Sequence, residues 1–359
     1  MTIPAEGGTV PTRSGPARDR SAKAKDRAAR VPGRPSARSD RRSPAAAAPV
    51  DDLVVGTVPV AARVVGGLLV LAGVLAIAAL FPTYLVVGGT EVSLARNVGS
   101  VVVALLVPVV SIAVGVVLAR GAVPKFGLAY AGVAAALSIG PLLIELYRGS
   151  SSTSRPAVEV LVGEKVLTSS VHIGAGWVLG IVSLAVTVLA GLGAVLAWGR
   201  TVMDDGGTLD PARSALAGAG VLLGVGTVLC LTLPAADVPD RIVTDPSTGM
   251  QTVVTQEGPQ ALLERPGLAL LGGLLMAGAI VLCSVVAPSL RPRLATVGAL
   301  LALAVAVLDA GLTGVRDALS SRDLEWTVPG AGLVVAGLGY VLLTVLAWRL
   351  RRTPSAEPG

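Results

Sequence analysis

The amino-acid sequence predicts an all-α integral membrane protein, with eight transmembrane helices arranged as four hairpins and small β-hairpins in the extracytoplasmic loops. Three observations predict it. First, 53% of the 359 residues are apolar and 14% are charged, and the mean hydropathy is +0.75. A soluble domain carries roughly 25% charged residues, so this chain cannot cover itself with a wetted surface. Second, the apolar residues gather in eight runs, 61–82, 98–119, 126–147, 173–198, 214–234, 267–289, 294–312 and 330–349. Each matches the roughly 20 residues that a helix needs to cross a hydrocarbon core about 30 Å thick. They are continuously apolar rather than striped at the helical period, as suits helices facing lipid and one another. Backbone in lipid must satisfy its own hydrogen bonds, and runs of this length are not barrel strands. Third, the basic residues are lopsided. Threading eight runs back and forth puts 21 of the 29 Lys and Arg on the side of the amino-terminal stretch. The positive-inside rule then assigns both ends to the cytoplasm. Arginine outnumbers lysine 25 to 4, a bias that suggests a GC-rich bacterial genome, so the membrane is expected to be a bacterial plasma membrane.

Residues 1–60 are different material. The stretch "RDRSAKAKDRAARVPGRPSARSDRR" (18–42) mixes charge with Pro, Gly, Ser and Ala, and no aromatic precedes Phe81. Such a segment buries too little apolar area to offset its ordering entropy and is expected to be a disordered cytoplasmic tail. It lacks the apolar core that follows the charged start of a signal peptide. Its partners are expected to be anionic lipid headgroups, at about 1 kcal/mol per basic residue near the surface; a solvated tail that only fixes topology is the alternative. Ser39 and Ser43 flank Arg41 and Arg42 and are candidate phosphorylation sites. No nucleic acid is expected, because the tail offers no stacking aromatic.

The transmembrane domain covers 61–349 and a cytoplasmic tail 350–359. Trp177 and Trp198 bracket the fourth run and Trp326 and Trp348 the eighth. Separations of 21 and 22 residues give about 32 and 33 Å of helix, one bilayer core, with amphipathic rings at the interfaces. Cys230 and Cys283 end consecutive antiparallel runs, near opposite faces, and are expected to stay unbridged.

The even-numbered runs share an element. Gly174–Ala175–Gly176 aligns with Gly330–Ala331–Gly332, Pro266–Gly267 with Pro329–Gly330, and "VLAW" recurs at 195–198 and 345–348. In that register small residues fall four apart at one depth: Gly176 and Gly180, Ala269 and Gly273, Gly332 and Ala336. Such pairs let helix backbones approach closely in lipid. His172, the only histidine, aligns with Val328, so the shared element does not need it; it is expected at the interface, with a pH-sensing role as the functional alternative.

Three loops, "YLVVGGTEVSLA" (84–95), "AVEVLVGEKVLTSSV" (157–171) and "RIVTDPSTGMQTVVT" (241–255), place β-rich runs around turn residues. Each is expected to form a β-hairpin, and the hairpins to pair into one small sheet, since a lone hairpin is marginal. The loop 313–329 reads as more helical. In "MDDGGTLDPAR" (203–213) Asp210 is expected to cap the fifth helix with Pro211 as its first residue.

Ionisable residues inside a membrane are functional suspects. Asp309, in the seventh run, could bind a cation or pair with Arg316; Glu145 ends the third run and is expected to reach the interface. Pro108 and Pro141 interrupt the second and third runs, as packing kinks or as the broken helices of a binding site. No phosphate loop, dinucleotide fingerprint, metal-spaced set or serine triad occurs, so no cofactor is expected. The function predicted first is a non-enzymatic scaffold, assembly factor or envelope-complex subunit working with other envelope membrane proteins. Export or transport of a hydrophobic or lipid-like substrate is the alternative, and an enzyme acting on an envelope lipid comes third.

Overall fold

A computed structural model describes residues 53–150, 158–161, 164–167, 170–205, 209, 211–239, 241–244, 251–254, 262, 266–320 and 324–350. Among them eight helices are long and apolar enough to cross a membrane, which makes this a multi-pass membrane protein. Strand β1 (Leu53–Val55) precedes α1 (Val60–Ala78). Strands β2 (Leu85–Val87) and β3 (Thr90–Val92) lead to the second span, divided into α2 (Val98–Ala104) and α3 (Leu106–Ala119). Helix α4 (Pro124–Arg148) is followed by β4 (Val158–Leu161), β5 (Glu164–Leu167), β6 (Val171–Ile173) and α5 (Ala175–Trp198). Strand β7 (Met203–Asp205) leads to α6 (Arg213–Leu231), then β8 (Ala236–Asp237), β9 (Arg241–Thr244), β10 (Gln251–Val254) and α7 (Gly267–Val286), which a 3₁₀ turn extends over Ala287–Ser289. The last three elements are α8 (Arg293–Ser320), β11 (Glu325–Trp326) and α9 (Val328–Arg349).

Local chemistry sets the boundaries. Asn97 and Ser100 form a reciprocal capping box at the start of α2, with the Ser100 amide 2.7 Å from Asn97 Oδ1. The second span breaks at Leu105, three residues before Pro108, which has no N–H to offer the Ala104 carbonyl. Pro141 leaves α4 unbroken. Helices α1 and α6 stop at Ala78 and Leu231, short of the predicted 82 and 234, because Pro82 and Pro234 disfavour helical backbone just before them. Helix α8 runs to Ser320, past the predicted end at 312. Hydropathy falls where Arg316 and Asp317 begin, but the helical backbone continues. Helix α6 begins at Arg213 with Ala212 as its N-cap, so Pro211 is not its first residue; Asp210 lies outside the described residues. Leu53–Val55, assigned to the tail by composition, form a strand that pairs with Met203–Asp205, a local sheet that charge content does not reveal.

The eight spans fall into two halves with the same packing. In the first, α1 packs on α3 and α5, and α4 packs on α5. In the second, α6 packs on α7 and α9, and α8 packs on α9. The halves meet where α4 lies against α7 and α8. The short strands repeat as well: Val86 in β2, after the first span, pairs with His172 in β6, before the fourth. Ala236 in β8, after the fifth span, pairs with Trp326 in β11, before the eighth. At the opposite end of the bundle Lys125 lies over the Trp198 ring at 5.6 Å, and Arg293 Nη1 donates to the Trp348 carbonyl oxygen at 2.7 Å. Four is an even number, so both halves run in the same sense across the bilayer, a parallel repeat.

Glycines set the closest helix approaches. A Cβ at Gly66 would lie 2.6 Å from the Ala119 amide nitrogen, and one at Gly115 2.7 Å from the Gly66 carbonyl oxygen, which joins α1 to α3. Gly140 and Gly272 meet the same way between α4 and α7. Away from these seams large apolar side chains such as Val64, Leu71, Leu192, Leu222 and Leu342 are exposed, as a lipid-facing surface requires.

Candidate functional site: a cavity between the two halves

Between the halves, towards the end that carries β2, β6, β8 and β11, lies a cavity of about 680 Å³. That is within the roughly 300–1,000 Å³ of small-molecule sites. Its walls come from α1 to α5 on one side and from α6 to α9 on the other, and they are largely apolar: Ala76, Leu137, Leu184, Met276 and Val305 among others. Ser111, Tyr130, Ser183 and Thr227 also line it, but their hydroxyls are already engaged. Ser111 Oγ is 3.0 Å from Tyr130 Oη, Ser183 donates to the Ala72 carbonyl at 2.8 Å, and Thr227 donates to Leu223 at 2.7 Å.

The charged lining residues are Glu145, Arg148, Asp309, Arg316 and Asp317. Glu145, near the end of α4, accepts a hydrogen bond from the Tyr84 hydroxyl and another from Arg148 Nη1 at 2.6 Å. The Trp177 indole N–H donates to the Glu145 carbonyl oxygen at 2.9 Å, which fixes the same helical turn from α5. Burial first, and then the charge of Glu145, push the Tyr84 phenol well above its ordinary pKa. On α8, Arg316 donates through Nε and Nη2 to Asp317 Oδ1 at 3.0 and 2.8 Å. Arg316 therefore pairs with its neighbour Asp317, where the sequence had offered Asp309 as its partner. The adjacent carboxylate is reached without spanning two helical turns.

Arg148 and Arg316 are equivalent in the repeat. Each follows a proline that opens its span, Pro124 or Pro292, by 24 residues. In that register Pro141 and Asp309 coincide, both 17 residues on. Of the candidates read from the sequence, Asp309, Glu145, Pro108 and Pro141 thus come together on one cavity. His172 does not: it sits exposed in β6, opposite Val86. Sequence reasoning passed over Tyr84, Arg148 and Asp317, and named Arg316 only as a partner for Asp309. The common 24-residue interval was the available signal, but the odd-numbered spans that carry it lack the glycine motif that drew attention to the even-numbered ones.

The small-residue pairs divide. A Cβ at Gly176 would lie 2.8 Å from the Pro82 carbonyl oxygen, a true backbone approach. One at Gly180 would meet nothing within 4 Å, because Gly180 borders the cavity. Gly332 faces the Cys230 thiol, Gly273 faces the Leu262 side chain, and Ala269 and Ala336 are buried. The sequence register also shifts in space. Gly174 is the N-cap of α5, but Thr327 is the N-cap of α9, so Gly330 sits inside the first turn, and His172 is a strand residue where Val328 is helical. What the two caps share is an anchor: the Gly174 amide donates to the Tyr84 carbonyl and the Thr327 amide to the Ala235 carbonyl, each just past the first span of its own half.

The strands β2–β3, β4–β5 and β9–β10 each pair antiparallel, but not with one another. Among the described residues the expected single sheet is replaced by separate ones, and the edge of β2 away from β3 pairs with β6. No group of His, Cys, Asp and Glu suited to a metal ion occurs among the described residues. No family model matches the chain, and neither a curated protein nor a solved structure does.

Proposed function

We propose that this chain is a bacterial plasma-membrane protein, both ends in the cytoplasm, that binds a lipid-like amphiphile in the cavity between its halves and moves it towards the extracytoplasmic side. The cavity carries this reading: apolar walls suit hydrocarbon, and a charged rim near one membrane face suits a headgroup. Pro108 and Pro141 on its lining give α3 and α4 weakened turns where such a site is expected to change shape. The orientation rests on the lopsided basic residues and puts the β-hairpins outside.

The scaffold or complex-subunit role is the second reading. The short sheets support it, since β4–β5 and β9–β10 are two-stranded ladders whose outer edges can take a partner strand. An enzymatic role has less support, because Glu145 and Asp317 are held by Arg148 and Arg316 and are poorly placed to act as bases.

Purification in mild detergent, followed by mass spectrometry of what co-purifies, tests the proposal. A retained amphiphile that Ala134→Trp displaces is the expected result. A stoichiometric protein partner with no retained amphiphile favours the second reading.

A further inference from the structure

We infer that the cavity's occupant carries a positive charge and seats it on Asp309. The inference rests on the amphiphile-binding reading and specifies its substrate class. Three carboxylates, Glu145, Asp309 and Asp317, line the cavity against two guanidiniums, Arg148 and Arg316, for a net charge of −1 when all are ionised. Four of the five neutralise one another. Arg148 is 2.6 Å from Glu145, and Arg316 is 2.8 Å from Asp317. Asp309 is left over. It makes no hydrogen bond or ion pair among the described residues, and the cation whose field reaches it, Arg316, stands seven residues on, about 10 Å along the helix axis.

An ionised carboxylate in the interior of a membrane protein is costly without a partner. A ligand's cationic group supplies one, and the apolar walls take its hydrocarbon. An anionic headgroup fits poorly, because both arginines are engaged and the net charge repels it. The repeat sharpens the point. The place of Asp309 on α8 is held by Pro141 on α4, so the carboxylate exists in one half only and the cavity offers a single seat.

The test compares two ions of the same shape and opposite charge, tetraphenylphosphonium and tetraphenylborate. Their binding to the full chain in nanodiscs is measured by equilibrium dialysis against empty nanodiscs. The cation is expected to bind once per chain and about tenfold or more tighter than the anion. Asp309→Asn should erase that preference, and the double variant Arg316→Gln with Asp317→Asn, which removes the competing positive field without freeing a second carboxylate, should strengthen cation binding. Equal affinity for the two ions, or a preference that survives Asp309→Asn, overturns the inference. If Asp309→Asn does not fold, the double variant decides, and unchanged cation binding there overturns it. Retained lipid together with a preference for the anion defeats this inference alone, whereas binding of neither ion with no retained lipid defeats the amphiphile reading too.

Discussion

The Tyr84 hydroxyl donates to the Glu145 carboxylate and so ties the strand after the first span to the end of the third. Arg148 holds the other carboxylate oxygen at 2.6 Å. Tyr84 is 5% exposed, so this is a buried hydrogen bond to a charged group, worth about 1.5–3 kcal/mol. Tyr84→Phe should lower stability by that amount and loosen the cavity rim. The phenol also carries a pH signature. Its folded-state pKa is raised above the ordinary value of 10.0, so the folded chain holds the proton more tightly than the unfolded chain. The associated stability is fully present below pH 10 and is lost as pH rises beyond it, at about 1.4 kcal/mol per pH unit. Thermal unfolding in detergent from pH 8 to 11.5 should show a steeper alkaline decline for the native chain than for Tyr84→Phe; parallel curves count against a buried phenol.

Glycine sites should separate by what faces them. At Gly140 an added methyl group collides with the Gly272 carbonyl oxygen, backbone on a partner helix that cannot step aside. Gly140→Ala should cost about 1–3 kcal/mol, the usual penalty of overpacking. Gly180 faces open space, and an alanine there gains helix propensity. Gly180→Ala should be neutral or stabilising by up to about 1 kcal/mol. Melting temperatures of the two variants in one detergent check the contrast, and equal losses would show that α5 packs closely at Gly180 after all.

This contrast also marks what the sequence could convey. The eight spans were legible because a bilayer demands a length and a composition, and both are visible in one dimension. Their ends were legible to within a few residues, with errors where a proline stops a helix early, at Pro82 and Pro234, or where a helix outlasts its apolar stretch, as α8 does. Asp309 and Glu145 were legible as suspects because charge in a span is rare. How the charges around them pair was not. Arg316 chooses between Asp309 and Asp317 by rotamer geometry, and Tyr84 reaches Glu145 only through a fold that brings residues 61 apart together. Small-xxx-small spacing marks where a helix can approach another, not whether one is there, which is why Gly176 meets backbone and Gly180 meets a cavity.

Orientation can be read directly. Thr90 in β3 and Arg200 after α5 are both exposed and lie at opposite ends of the bundle by connectivity. With Cys230 and Cys283 replaced by alanine, Thr90→Cys should react in intact cells with a maleimide that cannot cross the membrane. Arg200→Cys should react only after permeabilisation. The reverse pattern would invert the topology and turn the cavity rim towards the cytoplasm.

Tyr340 reports on the second half alone. Its hydroxyl is 2.6 Å from Ser284 Oγ on α7 and 3.4 Å from the Gly220 carbonyl oxygen on α6, so a single side chain on α9 joins three helices. Ser284 also donates to the Ile280 carbonyl at 2.6 Å within its own helix, and so keeps a partner when the phenol is removed. Interhelical hydrogen bonds in membrane proteins average only about 0.6 kcal/mol, because the alternative state also finds partners. Tyr340→Phe should therefore cost less than about 1 kcal/mol, well below Tyr84→Phe, whose acceptor is a charged carboxylate. Tyr340→Ala should cost about 3–5 kcal/mol, since it also empties a fully buried aromatic site. Unfolding in graded denaturant gives the three values. If Tyr340→Phe costs as much as Tyr340→Ala, then the hydroxyl rather than the packed ring holds α6, α7 and α9 together.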